Sequence, residues 1–195
     1  TVSEPDLIKR CQNGDVEAFE QLIEGYEKKI INYCWRMLGN PLDAEDAAQE
    51  VFVKVFRFIG SFTGQSSFST WLYRIASNVC LDLLRKRKRR PAETVSLNQC
   101  NAEGDEFALP IEDTSPTPYE SAQMNEAQRV LTAALEQLGE EQRRVIVLRD
   151  IEGLSYDEIA QIINVAPGTV KSRINRARKA LQKLLEKDRE LFLSE

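Results

Sequence analysis

Between Leu154 and Leu181 the chain reads LSYDEIAQIINVAPGTVKSRINRARKAL, two short helical patterns set around a Pro-Gly break. Ser155 with Glu158 three residues on is a capping box, in which two side chains satisfy two otherwise orphaned backbone donors. Ile159, Ala160, Ile162 and Ile163 supply a packing face for the first helix. Val165-Ala166-Pro167-Gly168 interrupts it, because proline is accepted at the start of a new helix and rarely inside one. Val170, Ile174, Ala177 and Leu181 then recur at spacings of four, three and four, one stripe of a second helix. Its other sides offer Lys171, Ser172, Arg173, Asn175, Arg176, Arg178 and Lys179, with no carboxylate from Thr169 to Leu185. A solvated basic face is the plain alternative for any run of charge. Here the face opens a helix after a tight turn and carries groups that reach base edges as well as phosphates. Arginine forks onto guanine and asparagine pairs with adenine. The pattern predicts a helix-turn-helix that enters the DNA major groove.

The rest of the chain is also helical by pattern. Phe19, Leu22, Ile23, Tyr26, Ile30, Cys34 and Met37 predict one long amphipathic helix, capped by Asp15 and ended by Gly39-Asn40-Pro41. Ala48, Phe52, Val55, Phe56 and Ile59 mark a second, and Phe68, Trp71, Leu72, Ile75, Val79 and Leu83 a third that runs into a block of cations. Val130, Leu131, Ala134, Leu135 and Leu138 mark a fourth, and Val145, Ile146 and Leu148 a short fifth. No stretch alternates as a strand does, so the expected class is all-α.

A net charge of −5 fits a nucleic-acid binder poorly until the charges are located. Arg85 to Arg90 are consecutive cations. Pro91 to Gln128 hold no Lys or Arg but carry Glu93, Glu103, Asp105, Glu106, Glu112, Asp113, Glu120 and Glu126. The acidity belongs to the middle, and a basic site survives on either side of it. That middle, with Pro91, Pro110, Pro116 and Pro118 and no apolar period, reads as a flexible acidic linker. Two helical domains follow, 1–90 and 121–195, joined by residues 91–120.

Composition narrows the chemistry. The chain has no histidine, and its four cysteines show no CxxC spacing. The common Cys/His zinc sites and most general-base arrangements are therefore excluded, and no metal or cofactor is expected. Cys34 and Cys80 fall among apolar helix positions and read as reduced core residues. No apolar run approaches the ~20 residues of a membrane span. The opening TVSEPDLIKRC lacks the basic start and apolar middle of a signal peptide. The expected location is the cytoplasm.

A second surface stands out at Phe62–Asn78, FTGQSSFSTWLYRIASN, where a Gly- and Ser-bearing loop leads into a helix with Trp71, Tyr73 and Arg74. Aromatics beside a positive surface hold unstacked bases, each stack contributing ~1–3 kcal/mol. The bland alternative makes Phe68 and Trp71 core residues.

Together, Asp43–Phe56 (DAEDAAQEVFVKVF), Ser67–Arg89 (SFSTWLYRIASNVCLDLLRKRKR) and Leu154–Leu181 resemble the bacterial RNA polymerase sigma factors, specifically the small extracytoplasmic-function (ECF) class. The resemblance implies a region 2 helical bundle and a region 4 helix-turn-helix, and it implies roles. Asp46, Gln49, Glu50 and Val53 would dock on the clamp helices of the polymerase largest subunit, and region 4 on the flap of the second largest. The bare residues allow a solvated strip held by Glu50–Lys54 pairing instead. Phe62, Ser66, Ser67, Trp71, Arg74 and Asn78 would capture a flipped non-template base of the minus-ten element, while Arg85 and Lys86 hold nearby phosphates. A flipped base needs a stacking surface and hydrogen bonds to its exposed edge. Lys171, Ser172, Arg173, Asn175 and Arg176 would read the minus-thirty-five element, with Arg178 and Lys179 on phosphates. An anti-sigma factor is the further partner implied. The chain lacks the region 3 domain of housekeeping sigma factors, in keeping with the small class.

A stand-alone helix-turn-helix regulator explains the C-terminal half equally well but leaves the aromatic-basic block at Phe62–Arg90 without a purpose. An enzyme is the weakest reading, since acidic pairs such as Asp157 and Glu158 are accounted for by a helix start and no phosphate-cradling loop is present.

Overall fold

A computed structural model describes residues 2–89 and 118–186 of the chain. Helices α1 (Glu4–Gln12), α2 (Val16–Glu24), α3 (Glu27–Leu38), α4 (Pro41–Phe58) and α5 (Phe68–Arg89) build the first domain. Helices α6 (Pro118–Gln137), α7 (Glu140–Ile146), α8 (Tyr156–Ile163) and α9 (Pro167–Leu185) build the second. No strand occurs among the described residues, as expected of an all-α chain.

Local chemistry places most boundaries. The Asp15 carboxylate accepts the Ala18 amide at 3.0 Å and opens α2. Gly39 closes α3 in the left-handed region at φ 74, its amide donating to Trp35 O at 2.8 Å. Only glycine takes that conformation without strain. The site is also crowded, since a Cβ there would stand 1.9 Å from Glu136 Oε1. Asn40 accepts the Asp43 amide at 3.2 Å and Pro41 starts α4.

One expectation is corrected. The stripe from Phe19 to Met37 is two helices rather than one, broken at Gly25–Tyr26. Glycine is a weak helix former, and the Tyr26 amide turns back to Ile23 O at 2.8 Å. Tyr26 then donates its hydroxyl to Glu4 at 2.6 Å and sets its ring edge-on to Phe68, centroids 5.4 Å apart. Both segments face the same core, so the apolar period continues across a break it does not register.

The segment expected as a flexible linker lies outside the described residues up to position 117. From Pro118 the chain is already helical, three residues before position 121, where the second domain was expected to begin, because proline suits a first helical turn.

Buried side chains of both domains meet in one continuous core. Helix α5 packs against α8, and α3 against α6 and α7. Polar contacts cross the same seam. Arg36 donates to Thr132 Oγ1 at 3.2 Å, Thr70 to Glu158 Oε1 at 3.3 Å, and Lys88 pairs with Glu140 at 2.7 Å. Tyr73 donates to Glu152, and Arg143 to Met37 O. Cys34 and Cys80 are buried free thiols; their mutual hydrogen bond, and then burial, push the Cys34 thiol far above its usual range.

Candidate nucleic-acid interface

The recognition helix is α9. Val170, Ile174 and Ala177 are fully buried, turned toward α7 and α8. At 100° per residue the opposite side carries Ser172, Asn175, Arg176 and Lys179, with Lys171 beside them, and all five are exposed. The first helix of the pair, α8, starts at the expected capping box. Ser155 Oγ accepts the Glu158 amide at 3.2 Å, and Glu158 Oε2 accepts the Ser155 amide at 2.8 Å. Those bonds hold the Glu158 carboxyl below its usual range. Asn164 in the left-handed region closes α8, and Pro167 starts α9 one turn later.

Four of the seven residues expected on this face are engaged inside the protein. Ser172 donates to Thr169 O at 2.9 Å and Arg176 to Ser172 O at 3.3 Å along α9 itself, and two arginines pair with acids. Arg178 forks onto Asp150, with Nε 3.0 Å from Oδ2 and a second contact from NH2 to Oδ1. This raises the Arg178 pKa further above its ordinary value. Arg173 NH1 lies 3.5 Å from Glu141 Oε2. Neither acid belongs to α9. Glu141 lies in the first turn of α7, and Asp150 in the π-helical segment Val147–Ile151 that follows it. The expectation of a face free of carboxylates holds for the helix but not for its surroundings.

In the first domain, Ser67 Oγ accepts the Thr70 amide at 3.1 Å and opens α5. Phe62 is half-buried, edge-on to Phe68 at 5.9 Å and tilted on Trp71 at 5.3 Å. Trp71 and Phe68 are only 7% and 2% exposed. Trp71, expected as a base contact, is instead the wall behind Phe62, because the loop folds its aromatic ring down on it. Arg74, Asn78 and Arg85 are exposed and share one side of α5 at spacings of four and seven. Lys86 is exposed about 100° farther round, Ser67 is exposed, and Ser66 is half-buried at the loop. Arg85 pairs with Asp82 at 3.3 Å. Arg87 is tied to Leu38 O at 3.2 Å and to Asp43. A brace the motifs did not reveal is Gln12, whose Nε2 donates to Ile59 O at 3.1 Å and Phe62 O at 2.9 Å. It sits some fifty residues away in sequence, and no local pattern marks it.

On α4, Asp46, Gln49, Glu50 and Val53 are all exposed along one strip, while Ala48 and Val55 are buried and Phe52 half-buried. Glu50 pairs with Lys54 at 2.8 Å. The strip is not purely polar. Val53 is 50% exposed, and Leu42, one turn before Asp46 on the same side, is 74% exposed. Leu42 went unnoticed in the sequence, though its spacing of four from Asp46 was the available signal.

Among the described residues no helix is long and apolar enough to cross a membrane, and no cluster of three or more His, Cys, Asp or Glu side chains has the arrangement of a metal site.

Comparison with known proteins agrees with this geometry. The family model for sigma-70 region 2 matches residues 22–90, and that for sigma-70 region 4 matches residues 128–181. The chain is 39% identical over 182 residues to the RNA polymerase sigma-H factor of Pseudomonas aeruginosa, covering 92% of each. It is 39% identical over 178 residues to the ECF RNA polymerase sigma factor SigW of Bacillus subtilis, covering 91% of this chain and 94% of that one. With the ECF RNA polymerase sigma-E factor of Escherichia coli it shares 38% identity over 175 residues, 90% of each. Among solved structures, CnrH in complex with the cytosolic domain of CnrY superposes with a TM-score of 0.67 at 26% identity, covering 93% of this chain and 96% of that one. The sigma factor RpoE of Bartonella quintana in complex with the anti-sigma factor NepR gives 0.65 at 26% identity, covering 86% and 96%. Both domain matches fall in the order the three motifs predict, and with relatives near two-fifths identical over nine-tenths of the sequence they show that the chain belongs to the sigma-70 family, as an ECF-type RNA polymerase sigma factor.

Proposed function

We propose that this sigma factor joins core RNA polymerase through the α4 strip of Asp46, Gln49, Glu50 and Val53, with region 4 on the flap. It reads the minus-thirty-five element with α9 and holds the opened non-template strand of the minus-ten element at Phe62, Ser66, Ser67, Arg74 and Asn78. Arg85 and Lys86 take the neighbouring phosphates. The polymerase supplies the chemistry, the sigma chain works in the cytoplasm without a cofactor, and its domains span 1–90 and 121–195. The observation that carries this reading is the outward ridge of α9. Ser172, Asn175, Arg176 and Lys179 stand exposed over a fully buried stripe, which gives one helix face both base-edge and phosphate donors. Trp71 enters as the support of Phe62.

An anti-sigma factor is the proposed regulator. Support comes from the Bartonella relative, solved with its anti-sigma factor at a matching fold. A stand-alone regulator has no use for two sigma regions in one chain.

Run-off transcription with core polymerase on a promoter library tests the assignment. Lys171→Ala and Arg176→Ala are expected to cost about 1–3 kcal/mol each at matched upstream bases. Phe62→Ala and Asn78→Ala are expected to lose activity that pre-melted templates restore. Failure to confer start-site selection overturns the proposal.

A further inference from the structure

We propose that Glu141 and Asp150 are specificity-determining residues, two carboxylates outside the recognition helix that hold Arg173 and Arg178 at its edges and suppress binding to DNA without the correct upstream element. The inference rests on the reading of α9 as the minus-thirty-five reader.

Position comes first. Taking the buried stripe Val170–Ile174–Ala177 as reference, Arg173 and Arg178 project from opposite flanks of α9. Each meets an acid from a different element, Glu141 from α7 and Asp150 from the π-helical segment. The Arg178 contact is a two-pronged fork in which a planar guanidinium matches a planar carboxylate. The second oxygen of Glu141 lies 3.9 Å from the Arg144 guanidinium, a buried group of α7. By contrast, Lys171, Arg176 and Lys179 have no carboxylate partner among the described residues. The paired cations thus stand at the rims, Arg176 and Lys179 stand unpaired on the outward ridge, and Lys171, seven residues before Arg178, stands unpaired on the same flank as Arg178.

The electrostatic consequence follows. The two flanks of a groove-bound helix are where the DNA backbones pass, so both paired arginines stand near phosphate. A phosphate drawn to either must share it with a carboxylate that repels phosphate, and this opposing term weighs most on a scrambled sequence, where phosphate contacts supply all the binding and no base contact fixes the seat of α9. Contacts from Ser172, Asn175 and Arg176 to base edges are untouched by it and form only on the right sequence. Sequence-independent attraction is trimmed while readout is kept.

The test uses full-length wild type, Asp150→Asn and Glu141→Gln, each assembled with core RNA polymerase. The probes are a promoter duplex recovered by the wild-type holoenzyme from a library randomised at the upstream element, and the same duplex with that block scrambled. Binding is titrated between about 50 and 200 mM salt. Asp150→Asn is expected to raise affinity for the scrambled duplex about fivefold, the effect of freeing one surface pair. The recovered duplex gains less, so the discrimination ratio falls. The salt slope on the scrambled duplex steepens by about one, because one more phosphate is neutralised. Glu141→Gln does the same more weakly, its pair being longer and single. In an Arg178→Ala background the Asp150→Asn effect disappears. An unchanged ratio and slope, an equal loss on both duplexes, or persistence of the effect without Arg178 overturns the inference while leaving α9 as the reader. A wild-type holoenzyme that recovers no upstream preference overturns both.

Discussion

Ser155 and Glu158 exchange two hydrogen bonds at the start of α8, and the energetic weight of the helix-turn-helix begins there. Ser155→Ala removes one acceptor from a backbone amide and is expected to cost about 1 kcal/mol, measured by denaturant unfolding. Its pH dependence has a definite sign. Glu158 titrates below its ordinary 4.5 in the folded chain, so its stabilisation is complete above that value and fades as pH falls through the depressed one. The Ser155→Ala penalty is therefore expected to shrink on acidification. Phe62 and Trp71 separate in the same way. Trp71→Ala opens a cavity and is expected to cost about 3–5 kcal/mol, whereas half-buried Phe62→Ala costs distinctly less in a thermal melt and far more in promoter opening.

At the scale of elements, α9 shows how one helix divides its labour. Ile174 is fully buried, and Ile174→Ala is expected to destabilise by about 2–5 kcal/mol. Lys179→Ala on the outer face leaves unfolding within about 0.5 kcal/mol and weakens DNA binding across sequences; calorimetry and binding titrations separate the two. The break between α2 and α3 makes a different point. Periodicity reports which side of a helix is buried, and it reported that correctly through Gly25, but a turn between two helices packed on one core leaves the period intact. Caps with a side-chain acceptor, such as Asp15, Asn40 and Ser155, were readable because their chemistry is confined to four residues.

The whole molecule is held closed by contacts between its domains, several of them through buried polar groups. Glu152 is the carboxyl among them that burial raises, whereas Glu158, bonded to Thr70, is held low. Burial raises the Glu152 carboxyl above the ordinary 4.5, opposed by the Tyr73 hydroxyl and by Lys29 and Arg36. A raised acid favours the closed form most when protonated, so closure is expected to tighten as pH falls through the raised value toward 4.5 and to lose that contribution as pH rises back through it. Energy transfer between dyes placed on Glu45 and Gln161 checks this, and Glu152→Gln is expected to flatten the profile. Promoter elements about 25 base pairs apart span ~85 Å, whereas a compact chain of this length has a radius of gyration near ~16 Å. Addition of core polymerase and promoter is expected to abolish the transfer.

What the amino-acid sequence determined by itself was local and compositional. It specified helix class and stripe, the capping box, the Pro-Gly entry to α9, and basic sites on either side of an acidic middle. These depend on neighbours three or four residues apart or on charge counts, and distance in space does not alter them. Tertiary structure alone decided that Trp71 backs Phe62 instead of facing solvent, that Gln12 braces the loop, that Arg173 and Arg178 are claimed by acids from α7 and the π-helical segment, and that α5 lies against α8. Each of these is a contact between residues far enough apart in the chain that no local pattern encodes it. It becomes fixed only when helices distant in the chain bury their apolar faces together.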